Sequence, residues 1–200
     1  VSQVDGAKLK KFDLGADAAK QAAEKITGKK LKVTSVAAKT LNKQAPPPFT
    51  TSSLQIDANR ILGYSAKQTM MLAQQLYEGI ALGDADETGL ITYMRTDSLN
   101  LADEFIAGTQ EYVKSALGSE YTVPGGRRFK SKSKNAQEAH EAIRPTDITN
   151  TPDAVKPHLD ARQHRLYELI WKRALASQLP ASVIEATTVE FEAQGTEYIL

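Results

Sequence analysis

The sequence predicts an α+β chain in which a helical domain with a helix-turn-helix-like core is inserted between two segments of a β-rich domain. Three observations predict it. Alternating apolar and polar residues near the start return after Pro180, the stretch between them has helical periodicity, and two of its helices are separated only by Gly63, Tyr64 and Ser65. Boundaries near Ala45 and Pro180 give a β-rich domain from residues 1–45 and 180–200, incomplete at its C-terminal end, and an inserted helical domain over residues 46–179.

The opening residues read as a charged strand followed by a helix over Ala16 to Ile26, closed by Gly28, and "LKVTSVAAKT" alternates as a strand. "QAPPPFTTSS" places three prolines in a row, a stiff extended connector. Thr51 to Ser53 supply N-cap oxygens for a helix with Leu54, Ala58, Ile61 and Leu62 as its apolar stripe and Gly63 as its stop. Ser65 and Gln68 have capping-box spacing and open a second helix, with Met71, Leu72 and Leu76 on its apolar face and Gly79 at its end. A third helix is expected from Leu101 to Leu117 and a fourth from Ala161 to Ser177, where "LYELIWKRALA" forms a core stripe. After Pro180 two strands are expected, joined at Gln194 and Gly195.

A hydrophobic fraction of 41% with 24% charged residues is ordinary globular composition, enough over 200 residues to bury a core. The absence of cysteine excludes disulfides, cysteine-built zinc sites and thiol redox chemistry. No run approaches the ~20 apolar residues of a membrane span, and "VSQVDGAKLKKFD" lacks a signal-like core, so a soluble piece of a longer protein is expected. A net charge of +1 requires any nucleic-acid footprint to be local. One such place is "RRFKSKSK", Arg127 to Lys134, whose one aromatic, Phe129, suits it to following phosphates better than to stacking bases; a solvated loop is the simpler reading.

Two motifs fail on inspection. "GDADETG" starts like a calcium loop, with Asp84, Asp86 and Gly89 in place, but position five is Thr88 and position twelve is Arg95, where such a loop needs a bidentate glutamate. "HEAIR" starts like a zinc-protease helix, but Arg144 stands where the second histidine is required. What remains is a short helical reading of "QEAHEAIRPTD" stopped by Pro145, with His140 and Arg144 on one side and suited to an anion. Glycine-rich phosphate loops, dinucleotide fingerprints and serine nucleophile elbows are missing from the sequence.

"GLITYMRTDS", Gly89 to Ser98, places a phenol, a guanidinium and a carboxylate at alternate positions. In extended geometry Tyr93, Arg95 and Asp97 project together, and Thr92, Met94 and Thr96 project the other way. A half-buried strand with a packed tyrosine and an Arg95–Asp97 pair satisfies this pattern. So does a reactive site: a phenol that attacks a phosphodiester must shed its proton while negative charge gathers at phosphorus, and Arg95 and His140 could hold that charge.

"GLITYMRTDS" and "EAHEAIRPTD" resemble hallmark segments of the type IA DNA topoisomerases, most closely the bacterial members, and "PPPFTTSSLQIDANRILGYSAKQTMMLAQQLYEG" resembles the same family. The similarity spans nearly the whole chain and is most specific in its middle. It implies that Tyr93 forms a 5′-phosphotyrosyl link with one DNA strand, that Arg95 matches the arginine two residues after that tyrosine, and that His140 helps hold the scissile phosphate. Thr96 and Asp97 match supporting positions; the DNA contacts then expected are Thr96, Asp97 and Arg144, with Arg127, Arg128 and Lys130 from the basic run.

The resemblance further implies ATP-independent relaxation of negatively supercoiled DNA, a preference for single strands, and a monomeric bacterial parent in the cytoplasm with no membrane partner. The β-rich segments become part of an arch, and the "QAPPPF" connector and the return near Pro180 become hinges. Magnesium belongs to an acidic cluster in a Toprim domain with no counterpart in this chain, so no metal site is expected here, and the isolated piece is expected to be inactive. A non-catalytic helix-turn-helix DNA-binding module and a purely structural domain are the alternatives from other classes. Within the family, topoisomerase III and reverse gyrase stay open.

Overall fold

In the computed structural model, which describes residues 1–10, 12–82, 87–130, 140–196 and 198–200, the chain runs from a short hairpin, β1 (Gln3–Val4) and β2 (Ala7–Lys8), to α1 (Ala16–Ile26) and β3 (Leu31–Lys43). There follow α2 (Thr51–Asp57), α3 (Ala66–Glu78), the small hairpin β4 (Ile80–Ala81) and β5 (Glu87–Thr88), and α4 (Asp103–Ala116). Last come α5 (Pro152–Val155), α6 (Ala161–Ser177), β6 (Ser182–Ala193) and β7 (Tyr198–Ile199). Contacts divide the chain into two units, Val1–Lys43 with Val183–Leu200, and Gln44–Ser182.

The first unit is a five-stranded sheet in the order β2-β1-β7-β6-β3, with α1 beside it in sequence. Alanine-rich α1 carries Asp17 in its first turn and Lys25 in its last, charges that complement the helix dipole. Thr27 closes it: its N–H and its hydroxyl both donate to the Ala23 carbonyl. The strands β3 and β6 come from opposite ends of the sequence. Gln194 N–H donates to the Lys30 carbonyl at one end, and Thr34 Oγ1 donates to the Glu190 carbonyl farther along, so residue numbers rise on one strand as they fall on the other, the antiparallel sense.

In the second unit the cap of α2 is Thr50, not the expected Thr51 to Ser53. Its side chain accepts from Ser53 N–H while Ser53 Oγ accepts from Thr50 N–H, which releases the Thr51 hydroxyl for a longer-range task. Beyond Asp57 the helix widens into a π turn, Ala58–Leu62, ended by Gly63 at φ 73°. Widening rotates the later residues away from a 3.6-residue stripe. Leu54 and Ala58 therefore face the core, and Ile61, expected there, is 52% exposed.

Ser65 Oγ caps α3 by accepting from Gln68 N–H, and Leu72, Ala73 and Leu76 form the buried stripe. Met71, placed on that stripe by the sequence reading, is half exposed because it lies one residue, about 100°, around the helix from Leu72. Helix α6 packs on α3, buries Leu166, Tyr167, Ile170 and Ala174, and begins with a capping box between Asp160 and Gln163. Burial and the charge of Asp147 push the Tyr167 phenol upward, and its hydroxyl donates to the Asn150 carbonyl at 2.6 Å. Arg173 ties the proline connector to α6: Nε donates to the Pro47 carbonyl at 2.7 Å, Nη1 to Asp57 at 3.0 Å, and the guanidinium lies 4.5 Å from the Phe49 ring centroid.

Candidate active site

The segment after β5 is fixed first by backbone. Leu90 N–H donates to the Leu76 carbonyl at 2.7 Å, and Gly89 passes so close to α3 that a Cβ on it would lie 2.7 Å from the Tyr77 carbonyl oxygen. Leu90, Ile91 and Met94 then anchor the segment in the core. Because the atom in the way is helix backbone, Gly89→Ala is expected to destabilise the protein by about 1–3 kcal/mol. Thermal unfolding of the substituted protein checks this.

From Tyr93 onward burial alternates: Tyr93 is 41% exposed, Met94 is buried, Arg95 exposed, Thr96 buried, Asp97 exposed, Ser98 buried. The period of two expected for a strand is present, although these residues lie outside the named strands. Side chains take the place of a ladder. Thr51 N–H donates to the Thr96 carbonyl, Thr51 Oγ1 donates to the Met94 carbonyl at 2.8 Å, and Thr96 N–H donates back to Thr51 Oγ1 at 2.9 Å. Thr96 Oγ1 in turn accepts from Ser98 N–H.

The other brace is Thr92. Its N–H donates to the Arg144 carbonyl, its hydroxyl donates to the Ala142 carbonyl at 2.7 Å, and that hydroxyl accepts from Arg144 N–H at 3.0 Å. The helix expected around His140 is not formed over residues 140–145, and residues 137–139 lie outside the described residues. Ala142 N–H instead reaches the Asn100 carbonyl, Ile143 N–H the Phe49 carbonyl and Thr146 N–H the Leu90 carbonyl. Pro145 disfavours helical backbone at Arg144, and these distant partners take the amide groups a helix would have used.

Of the expected site residues, Tyr93, Arg95 and Asp97 share the exposed side of one loop, and His140 is exposed at the start of the segment that Thr92 holds. Thr96 and Arg144 are turned inward. Arg144 Nε and Nη2 donate to the two Glu141 oxygens at 2.7 and 2.9 Å, Nη1 donates to the Pro145 carbonyl, and the guanidinium lies 4.4 Å from the Phe105 centroid. Burial pushes the Glu141 carboxyl up, but the Arg144 hydrogen bonds, the Ala102 N–H and the Arg144 charge outweigh it and hold the group below its ordinary value.

The basic run is described only as far as Lys130. Arg127 is half-buried, its backbone gripped by Gln178, which accepts from Arg127 N–H and donates to its carbonyl; Arg128 pairs with Asp103, and Lys130 is exposed. Residues 131–134, like Asp84 and Asp86 of the acidic turn, lie outside the described residues.

Sequence reasoning missed four residues that shape the site: Thr51, Thr92, Glu141 and Tyr77. Thr51 was visible only as a helix cap and Thr92 only as an inward position. Tyr77, on the last turn of α3, packs edge-on against Tyr93 with ring centroids 5.4 Å apart at 67°. Among the described residues there is no group of three or more histidine, cysteine, aspartate or glutamate side chains placed to hold a metal ion. No helix among those residues is long and apolar enough to cross a membrane.

A family model described as DNA topoisomerase matches residues 4–200. DNA topoisomerase 1 of Xylella fastidiosa (strain 9a5c) is 42% identical over 98% of the chain and 24% of its own length, and that of Rickettsia felis is 43% identical over 100% and 26%. Full-length topoisomerase I of Thermotoga maritima superposes with a TM-score of 0.75 at 36% identity, over 96% of this chain and 30% of that one. The chain thus spans about a quarter of the length of the curated relatives it matches.

Proposed function

Because the chain belongs to the bacterial DNA topoisomerase family, we propose that it carries the strand-cleaving tyrosine of a type IA enzyme and that this tyrosine is Tyr93. The observation that carries the reading is the exposure of Tyr93, Arg95 and Asp97 along one side of a loop whose alternate residues are pinned inward.

In this reading the phenolic oxygen of Tyr93 attacks a backbone phosphorus. The Tyr93 O–P bond forms, the bond from phosphorus to the 3′-oxygen breaks, and the departing oxygen takes a proton, leaving a 5′-phosphotyrosine and a free 3′-hydroxyl. Religation reverses each step and returns the phenol. One phosphodiester is exchanged for another, so passing a strand through the break relaxes negatively supercoiled DNA without ATP.

Arg95 is two residues further along extended chain, roughly 6.6–6.8 Å at the strand rise. From there a long guanidinium can put paired donors on the non-bridging oxygens, where charge gathers in the transition state. His140 supplies a further donor to the same phosphate, and Asp97 supports Arg95. Thr96 and Arg144 serve as positioning residues through the backbone they hold, not as DNA contacts. Arg127, Arg128 and Lys130 are assigned to phosphates away from the scissile one.

The first unit belongs, in this reading, to an arch, and Arg173 confines the hinge to residues before Pro47. Magnesium is held by parts of the parent protein outside this chain. The substrate is DNA that presents a single strand, the parent is a cytoplasmic monomer, and the 200-residue piece alone does not cleave.

The test is to trap the parent enzyme on a 3′-labelled single-stranded oligonucleotide with magnesium, digest it, and identify the labelled peptide. The label is expected on Tyr93; a label on another tyrosine overturns the assignment, and sequence-selective duplex binding with no adduct would favour a non-catalytic module. In the same assay His140→Ala should slow cleavage by roughly 10- to 1000-fold, the range for one lost transition-state donor. Arg95→Lys keeps charge but loses the planar fork, so it should impair cleavage or religation while DNA binding persists.

A further inference from the structure

A nucleophile on a half-exposed ring has to be aimed. A tyrosine side chain hops among staggered χ1 wells, and each hop carries the phenolic oxygen several ångströms, whereas in-line attack needs reacting atoms within ~3–3.5 Å. Backbone bonds to Thr51 and Thr92 fix where Tyr93 starts but leave its ring free to turn.

We infer that Tyr77 is a positioning residue that holds the Tyr93 ring in its attacking orientation; the inference rests on Tyr93 being the nucleophile. The two rings meet edge to face, 5.4 Å between centroids at 67°, within the geometry that aromatic quadrupoles favour. Both rings stand on one frame. The Leu76 carbonyl accepts from Leu90 N–H, and the Tyr77 carbonyl abuts Gly89, so the helix turn that carries Tyr77 also sets the path of the chain toward Tyr93. Tyr77 is itself 40% exposed and does not belong to the buried core cluster, and Tyr93 is the aromatic ring it meets. An edge-to-face contact needs the ring and not its hydroxyl, which makes the role separable by substitution.

The experiment uses the full-length parent enzyme with Tyr77→Ala, Tyr77→Phe and Tyr93→Phe, measuring single-turnover cleavage at saturating single-stranded DNA, the dissociation constant for DNA, and melting temperature. Tyr77→Ala is expected to lower the cleavage rate roughly 2- to 13-fold, the rate equivalent of one aromatic pair. The dissociation constant should stay within about twofold, and the enzyme should stay folded at the assay temperature, its melting temperature lowered by no more than the few degrees that one aromatic pair is worth. Tyr77→Phe should restore the wild-type rate. Wild-type cleavage by Tyr77→Ala overturns the inference, as does a Tyr77→Phe enzyme as slow as Tyr77→Ala or a loss that follows weakened DNA binding or unfolding at the assay temperature. An adduct that survives Tyr93→Phe would overturn instead the assignment of the nucleophile, so the two failures are distinguishable.

Discussion

Tyr93→Phe is expected to abolish the covalent DNA adduct of the parent enzyme and its plasmid relaxation, by roughly 10⁴-fold or more, the scale seen when a nucleophile is removed. The substitution takes away one oxygen. It leaves the ring's edge contact with Tyr77, and Tyr93 is 41% exposed, so little packing is lost. Surface changes of this kind shift stability by about 0.5 kcal/mol at most. The loop's backbone bonds run through Thr92, Thr51 and Thr96 and not through the phenol. If Tyr93 were simply a packed residue of a half-buried segment, the opposite pattern would hold, with relaxation kept. Gel assays of relaxation and of protein-linked DNA, beside a melting curve, decide between them, and normal relaxation by a well-folded Tyr93→Phe enzyme would end the assignment.

Local signals in the sequence were strong where one element decides its own shape. The helices Ala16–Ile26 and Ala161–Ser177 lie where helical spacing put them, because that signal acts within a few residues. The period of two at Tyr93 to Ser98 was legible for a similar reason: burial on one side imprints itself on composition even where no neighbouring strand supplies the hydrogen bonds. Partners 39 to 52 residues away left no such imprint. Thr51 and Thr92 look like any cap or strand threonine, and the stretch from His140 to Pro145 has a helical pattern that distant carbonyls override. The π turn after Asp57 likewise shifted Ile61 outward in a way that a 3.6-residue stripe could not anticipate.

Glu141→Ala is expected to produce the largest loss of stability of the substitutions considered, about 2–4 kcal/mol, because it strands the Arg144 guanidinium in the interior. The Arg144 side chain is 10% exposed and that of Glu141 32%, so the cost belongs to the cation left behind more than to the carboxylate removed. Two hydrogen bonds to Arg144 are lost together with the acceptor for Ala102 N–H, which fixes the start of α4. Glu141→Gln keeps the shape and one acceptor oxygen and should cost less. The same pair predicts a pH dependence. The Glu141 carboxyl is held below its unfolded value, so its contribution is fully present above about pH 4.5, the ordinary glutamate range, and is lost as pH falls through the lower folded-state value. The wild-type protein should therefore lose stability on acidification below that range more steeply than Glu141→Gln, and the gap between the two should narrow as pH drops. Denaturant unfolding at neutral pH and at several acid values measures both effects; a constant gap across pH would mean that Glu141 is not the titrating partner. Because His140 is the neighbour of Glu141 and Ala142 is bonded to Thr92, loosening this pair should also lower cleavage by the parent enzyme at temperatures where the variant is still folded.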